Sequence, residues 1–385
     1  MPIFFILSGR VIPVSVLRSG NLRRLVSAMI RRPFRLLIPV ISIAVLDYLF
    51  LHIKDVTTVY HVVAEPIWFL FDGAGLPKQI TGVVWTLSHE YTGSNIIYVL
   101  TMVMLQFKND LKARTIILVG CIAWFQLTHS WMTHFVAGLL IADWAQHGYF
   151  EQFRSWKYFP LVQILMFSFS IFVSFETPWF NVYRPLHDYI RSGQFLHGKM
   201  GVGNRFWEEN IVVFFFSFVT MLCIETSTWL QKIFSNRFFL FLGHISFAMY
   251  LFHQYWMSLF ALSFAKYIKE VITDKILAAV VSISVSTTLL CIISYFLTPI
   301  IDTPSIAFGQ FIETLIVEPW SIKACKMFVV EKFQLCKAKI VMLKEQLQKG
   351  WLFAIRVKDM VSAIIPENGN VAYPKKNEYH KVYTP

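Results

Sequence analysis

Nine long apolar runs, parted by short polar or basic segments, set the pattern of the chain. They are Pro2–Leu17, Phe34–Ile53, Val83–Phe107, Thr115–Trp131, Thr133–Ala145, Tyr158–Phe175, Ile211–Leu230, Phe238–Leu262 and Ile276–Thr298. A continuous apolar run of about 20 residues is what a helix needs to cross a bilayer core, and Pro2–Leu17 is short by that measure. The pattern predicts an all-α, polytopic helical membrane bundle of about nine spans. Lys54–Gly82 is mixed, and its Trp68, Phe69 and Phe71 suggest an interfacial or re-entrant segment. After the last span the pattern changes. The chain divides into a membrane domain over 1–320 and a basic tail over 321–385, where Phe333, Lys337, Ile340 and Lys344 permit an amphipathic helix on a membrane surface. A solvated helix fits that spacing equally well, and disorder is expected from Pro366 onward.

Composition supports this reading. The 385 residues are 56% hydrophobic, 17% aromatic and only 15% charged, with a mean hydropathy of +0.55, which points to a multi-pass integral membrane protein rather than two soluble domains. The formal charge of +12 does not imply a nucleic-acid partner, because the basic residues collect in short loops and the tail, where they set topology and meet anionic membrane lipids. Placing Arg18–Arg35 in the cytoplasm puts Lys108–Arg114, Gln146–Lys157, Gln231–Arg237 and the basic tail there too. Met1 then falls on the opposite side, which suggests a preceding span absent from this sequence. The five cysteines show neither a CxxC pair nor metal-ligand spacing, so no disulfide framework, metal site or bound cofactor is expected.

Against this apolar background a few polar residues stand out, because a charge at membrane depth costs about 2.5–3.5 kcal/mol on insertion scales. Arg10 lies in Phe4-Phe5-Ile6-Leu7-Ser8-Gly9-Arg10, with Pro13 one turn later to kink the helix. It either snorkels to an interface or belongs to a site. Arg32 and Arg35, in Arg31-Arg32-Pro33-Phe34-Arg35-Leu36-Leu37-Ile38-Pro39, sit at the mouth of a span. Their forked guanidinium groups suit a pyrophosphate, and topogenic charge is the competing explanation. In Trp85-Thr86-Leu87-Ser88-His89-Glu90, helical geometry puts Glu90 on a stripe with Thr86 and Ser94, about 100° from His89. Glu90 is therefore expected to orient an imidazole or to pair with Arg10, unless it is one half of a structural salt bridge. Ser246, Tyr250 and His253 share a face of their run, and His253 is a candidate to meet a carboxylate or a ligand. His187, Asp188 and His197 lie in the loop Thr177–Glu209, where they either line an acceptor entrance or simply face solvent. The chain has no glycine-rich nucleotide loop, no His-x-x-x-x-Asp box and no Gly-x-Ser-x-Gly elbow, so soluble nucleophilic mechanisms lack support.

Taken in order, the strings at Phe4–Arg10, Arg32–Pro39, Trp85–Glu90 and Ile245–His253 resemble the acyltransferase-3 family of integral membrane acyltransferases, particularly its fungal members. The likeness covers roughly Phe4 to Trp320. It implies a bundle of about ten helices that moves an acyl group from acyl-CoA, as co-substrate, to an acceptor hydroxyl on a sugar, lipid, peptide or secondary metabolite. By this resemblance Arg32 and Arg35 match donor-binding arginines, while Glu90 and His253 match polar residues inside the bundle. Family members begin with a span carrying an arginine and the histidine assigned as base, and this chain starts at what looks like the second span. A truncated sequence is therefore expected; otherwise His89, His244 and His253 are the nearby candidate bases. Two other functions compete. Arg10, Glu90 and His253 would also serve the proton relay of a transporter or exporter, although no inverted repeat is visible. A catalytically inactive scaffold is the third possibility.

Overall fold

A computed structural model describes residues 2–51, 67, 70, 78–107, 110–174 and 211–317. All of them fall within the first of two compact units, Met1–Cys325; the tail and the loop carrying His187, Asp188 and His197 lie outside the described residues. The described elements are all helical: α1 (Pro2–Val11), α2 (Val14–Ser19), α3 (Leu22–Leu51), α4 (Lys78–Gln106), α5 (Leu111–Leu127), α6 (Met132–Gln146), α7 (Tyr149–Ser155), α8 (Phe159–Ser174), α9 (Ile211–Thr226), α10 (Thr228–Phe234), α11 (Arg237–Trp256), a π-helical turn (Met257–Ala261), α12 (Leu262–Val271) and α13 (Lys275–Val317).

The breaks between helices follow local chemistry. Pro13 separates α1 from α2, and Gly20 ends α2 in the left-handed region, at φ +64°, where its N–H donates to the Val16 carbonyl at 2.7 Å. Asp110, Ser227 and Asn236 cap α5, α10 and α11 by accepting backbone N–H groups that would otherwise be unpaired. Two elements run further than the hydropathy pattern suggests. The segment read as the basic loop Arg18–Arg35 is mostly the first part of α3, since Leu25, Ala28 and the following apolar span give it one packed side. Likewise α13 continues past Thr298 through Pro299 and Pro304 because α3 holds it. Phe308 meets Phe34 edge to face at 5.5 Å, Glu313 pairs with Arg31 at 3.1 Å, and Gly309 lies against the Arg31 backbone.

Helix α6 is the centre. Every residue from Met132 to Asp143 is buried, as expected for a helix apolar on all sides. Helices α1, α4, α5 and α9 pack around it, and α3, α11 and α13 form a second group that reaches α4 through Leu36, Val40, Leu87, Leu251 and Ile301. α1 crosses α6 at Gly9 and Gly138, where a Cβ on either residue would overlap backbone of the other helix. Close approach of this kind through small residues is a normal way for helices to associate in a membrane. The outer faces of α8 and α13 expose Leu161, Ile164, Phe169, Ile276 and Ile283, apolar surface that hydrocarbon can cover.

The expected count of nine spans is not reproduced by length and composition alone. Among the described residues two helical stretches are long and apolar enough to cross a membrane, Pro2–Ser19 and Lys275–Ile316, and a third qualifies if the pair Val213–Thr226 and Thr228–Phe234, bent by 95°, is one span. The described parts of the remaining runs fold as helices. They are shorter, as α6 is, or diluted by polar residues, as α4 is by the stripe that carries Glu90.

Candidate functional site

The residues Ser8-Gly9-Arg10 form the junction from which the polar interior is built. Successive helical residues point about 100° apart, so these three face three neighbours. Ser8 turns toward α4 and donates to Glu90 Oε1 at 2.5 Å, Gly9 admits the α6 backbone, and Arg10 Nη2 donates to Glu225 Oε1 of α9 at 2.6 Å. Arg10 and Glu90 are thus each paired, but not with one another.

The partner of Glu90 is Arg32. Its Nη2 donates to Glu90 Oε1 and, at 3.1 Å, to Ser8 Oγ, joining α1, α3 and α4 in one buried cluster. The side chains of Arg32 and Glu90 are only 16% and 4% exposed, while Arg32 Nε and Glu90 Oε2 are buried and have no hydrogen-bond partner among the described residues. A buried ion pair of this kind is held by geometry rather than by surplus Coulomb energy, and losing one member strands the other. Arg35, one turn along α3, is exposed instead and faces Asp302 of α13, on which it and His244 both act electrostatically. Of the two arginines read as phosphate ligands, one is therefore enclosed and one is open.

The stripe expected on α4 is present and wholly buried. Ser94 Oγ donates to the Glu90 carbonyl at 2.6 Å, and Thr86 shares a hydrogen bond of 2.5 Å with the Tyr250 hydroxyl of α11. That bond brings the fourth motif to the third. Tyr250 and His253 lie together, their rings 5.7 Å apart, but Ser246 is exposed and bonds back to the Gly243 carbonyl at 2.8 Å.

The candidate histidines have different surroundings. His89 is packed between the rings of Phe5 and Trp85 and hydrogen-bonds the Trp85 backbone. His244 is exposed. His253 Nδ1 lies 2.5 Å from the Tyr250 carbonyl oxygen, which can only accept. A proton on Nδ1 satisfies that contact, and in that tautomer Nε2 carries the lone pair. His253 lines a cavity of about 350 Å³ between the π-helical turn, α12 and α13, which opens onto the outer face of α13 at the exposed Met257, Leu262 and Ile283 and is closed by Ser282. Trp256 braces that wall by donating its indole N–H to Ser286 Oγ at 2.9 Å. A π-helical turn beside a cavity is a frequent mark of a functional site.

Several polar residues of this interior escaped the reading by motif. Glu225 is the one carboxylate within the run Ile211–Leu230, and Asp143 is the one within Thr133–Ala145, so their cost in an apolar run was the available signal. Asp143 is fully buried and paired with Arg114, with His147 Nδ1 3.8 Å from the same carboxylate oxygen. Among the described residues no group of His, Cys, Asp and Glu is arranged to hold a metal ion.

The four motifs that appear separately in the sequence thus meet across α1, α3, α4 and α11. No curated protein and no solved structure matches the chain. The family model of the acyltransferase-3 domain matches residues 1–296, a stretch that contains the whole Ser8–Arg32–Glu90 cluster, His253 and the cavity it lines. The chain belongs to the acyltransferase-3 family of membrane-embedded acyltransferases.

Proposed function

We propose that this protein transfers an acyl group from acyl-CoA to an acceptor hydroxyl on a sugar, lipid or secondary metabolite, with His253 as the general base. The observation that carries the proposal is the contact of His253 Nδ1 with the Tyr250 carbonyl at the wall of its cavity, which occupies one ring nitrogen and leaves Nε2 to act as the base. The acceptor hydroxyl gives its proton to Nε2 while its oxygen attacks the thioester carbonyl. The C–S bond then breaks, and the departing CoA thiolate takes the proton back from the imidazolium. Arg35, exposed on α3, binds the donor's phosphates; Arg32 supports that face of the helix through Glu90 and Ser8. Glu90 and Arg10 are positioning residues in this scheme, fixing α1 against α3, α4 and α9.

In the same proposal the nine apolar runs make a multi-pass bundle, and the basic tail lies in the cytoplasm, beside the leaflet rich in anionic lipid. The alternation of basic loops supports this, and so do the apolar outer faces of α8 and α13.

The test is acceptor-dependent release of free thiol from acyl-CoA by purified protein in lipid nanodiscs. His253→Gln is expected to lower turnover by about 10²–10⁴-fold, the usual worth of a general base, with the thermal midpoint unchanged within error. Full activity in this variant removes His253 from the mechanism. Arg35→Gln is expected to raise the KM for acyl-CoA and leave kcat largely intact.

A further inference from the structure

A second cavity, of about 220 Å³, lies between α7, α8 and the end of α9, and none of its lining residues belongs to the Ser8–Arg32–Glu90 cluster. It is larger than the ~150 Å³ apolar cavity that suffices to bind benzene. Its mouth is open to the surroundings, since the lining residues Phe153, Trp156 and Met166 are 45%, 51% and 41% exposed, whereas Phe150, Cys223 and Thr226 close its floor. The polar groups at that floor are turned on one another. Gln163 Nε2 donates to the Cys223 carbonyl at 2.8 Å and to Thr226 Oγ1 at 3.0 Å, and Thr226 Oγ1 donates to the Leu222 carbonyl at 2.5 Å. The space accordingly offers a ligand hydrocarbon contact and almost no hydrogen bonding, which suits an alkyl chain and disfavours a sugar or a peptide.

The rim carries the opposite chemistry. Arg154 is occupied: its Nε and Nη2 donate to the Thr226 and Glu225 carbonyls at 2.9 and 2.8 Å, latching α7 to the end of α9. Lys157 stands between the lining residues Trp156 and Phe159. Its ammonium lies 5.9 Å from the ring of Tyr158 and, among the described residues, has no carboxylate partner. Glu151 Oε1, on the same helix as Arg154, lies 3.8 Å from Arg154 Nη1. Trp156 and Tyr158 are both exposed here, amphipathic aromatic residues of the kind that settle at headgroup level. An apolar slot opening beside two exposed aromatic residues and a lysine with no carboxylate partner among the described residues is complementary to one kind of molecule.

We propose that this cavity binds an acyl chain of an anionic phospholipid, whose headgroup is held by Lys157. The proposal needs the protein to be in a membrane but does not depend on acyl transfer or on His253. The experiment uses the full chain in nanodiscs containing, at equal mole fraction, phosphatidylserine or phosphatidylcholine with the same diazirine-bearing acyl chain. Crosslinked peptides are then mapped by mass spectrometry. Labelling is expected in the peptides containing Phe153, Met166 and Cys223, and more strongly from phosphatidylserine. Lys157→Gln is expected to lower the serine-to-choline labelling ratio by about fivefold, the effect of one basic residue at an anionic membrane surface. Cys223→Trp, which fills the floor, is expected to abolish labelling of those peptides by both lipids. If Cys223→Trp does not fold, the surface substitution Lys157→Gln decides the matter. Equal labelling by the two lipids in the unmodified protein, an unchanged ratio in Lys157→Gln, or labelling confined to other peptides overturns the proposal. Displacement of the phospholipid label by micromolar acyl-CoA overturns it as well, because the cavity would then belong to the donor's acyl chain.

Discussion

Replacing Glu90 by Gln tests whether the Ser8–Arg32–Glu90 cluster organises the bundle. The amide is nearly isosteric with the carboxylate, so packing around α4 is kept and the change is one of charge. Arg32 cannot lose its proton in a protein, so it is left cationic in a site where it is only 16% exposed. Stranding one member of a buried pair costs about 3–5 kcal/mol, a factor of roughly 10²–10³ or more in the folded population at 1.4 kcal/mol per decade. Ser8 still accepts from Arg32 Nη2 and recovers part of this, which places the expectation near the lower end of that range. Stability is read as reversible unfolding of the purified protein by SDS titration in mixed micelles, or as the midpoint of a thermal thiol-labelling assay. The decisive measurement is the double-mutant cycle with Arg32→Met. Removing both charges together is expected to cost less than the sum of the single changes, with a coupling of about 1–3 kcal/mol. Additivity within about 0.5 kcal/mol refutes the argument, because two side chains that share one desolvated ion pair cannot be lost independently.

Two further perturbations address the helices around this cluster. Gly138→Ala puts a methyl group against the Ile6 carbonyl and the backbone at Gly9, neither of which can turn away, so α1 must separate from α6; destabilisation of at least about 1–3 kcal/mol is expected in the same unfolding assay, and unchanged stability shows that the crossing is looser than described. Asp143→Asn leaves Arg114 charged and buried on α5; a loss of about 3–5 kcal/mol is expected, with the double change Arg114→Met, Asp143→Leu regaining most of it, and failure of that rescue removes the ion pair as the cause.

The sequence made the all-helical class and the positions of most helices readable, because polar segments part the apolar runs and several helix ends carry Gly20, Asp110, Ser227 or Asn236 in capping positions. It also made the identity of the motifs readable, but not which of them touch. The stripe Thr86, Glu90 and Ser94 followed from helical periodicity alone, since a period of four residues fixes a face. What that face meets depends on how four separate helices cross, and a carboxylate in an apolar run has the same local signature whether its partner is Arg10 or Arg32. The structure settles this through Gly9. With α1 drawn down onto α6, Ser8 and Arg10 are sent to opposite sides, one to Glu90 and the other to Glu225. Helix ends were misjudged where tertiary packing outweighed a local signal. Pro299 would end a free helix, but α13 lies along α3 from Phe34 to Arg31 and is carried through. The three residues Ser8-Gly9-Arg10 are therefore best understood together. The glycine permits an approach that a side chain would block, and that approach sets the two polar neighbours where Glu90 and Glu225 can meet them.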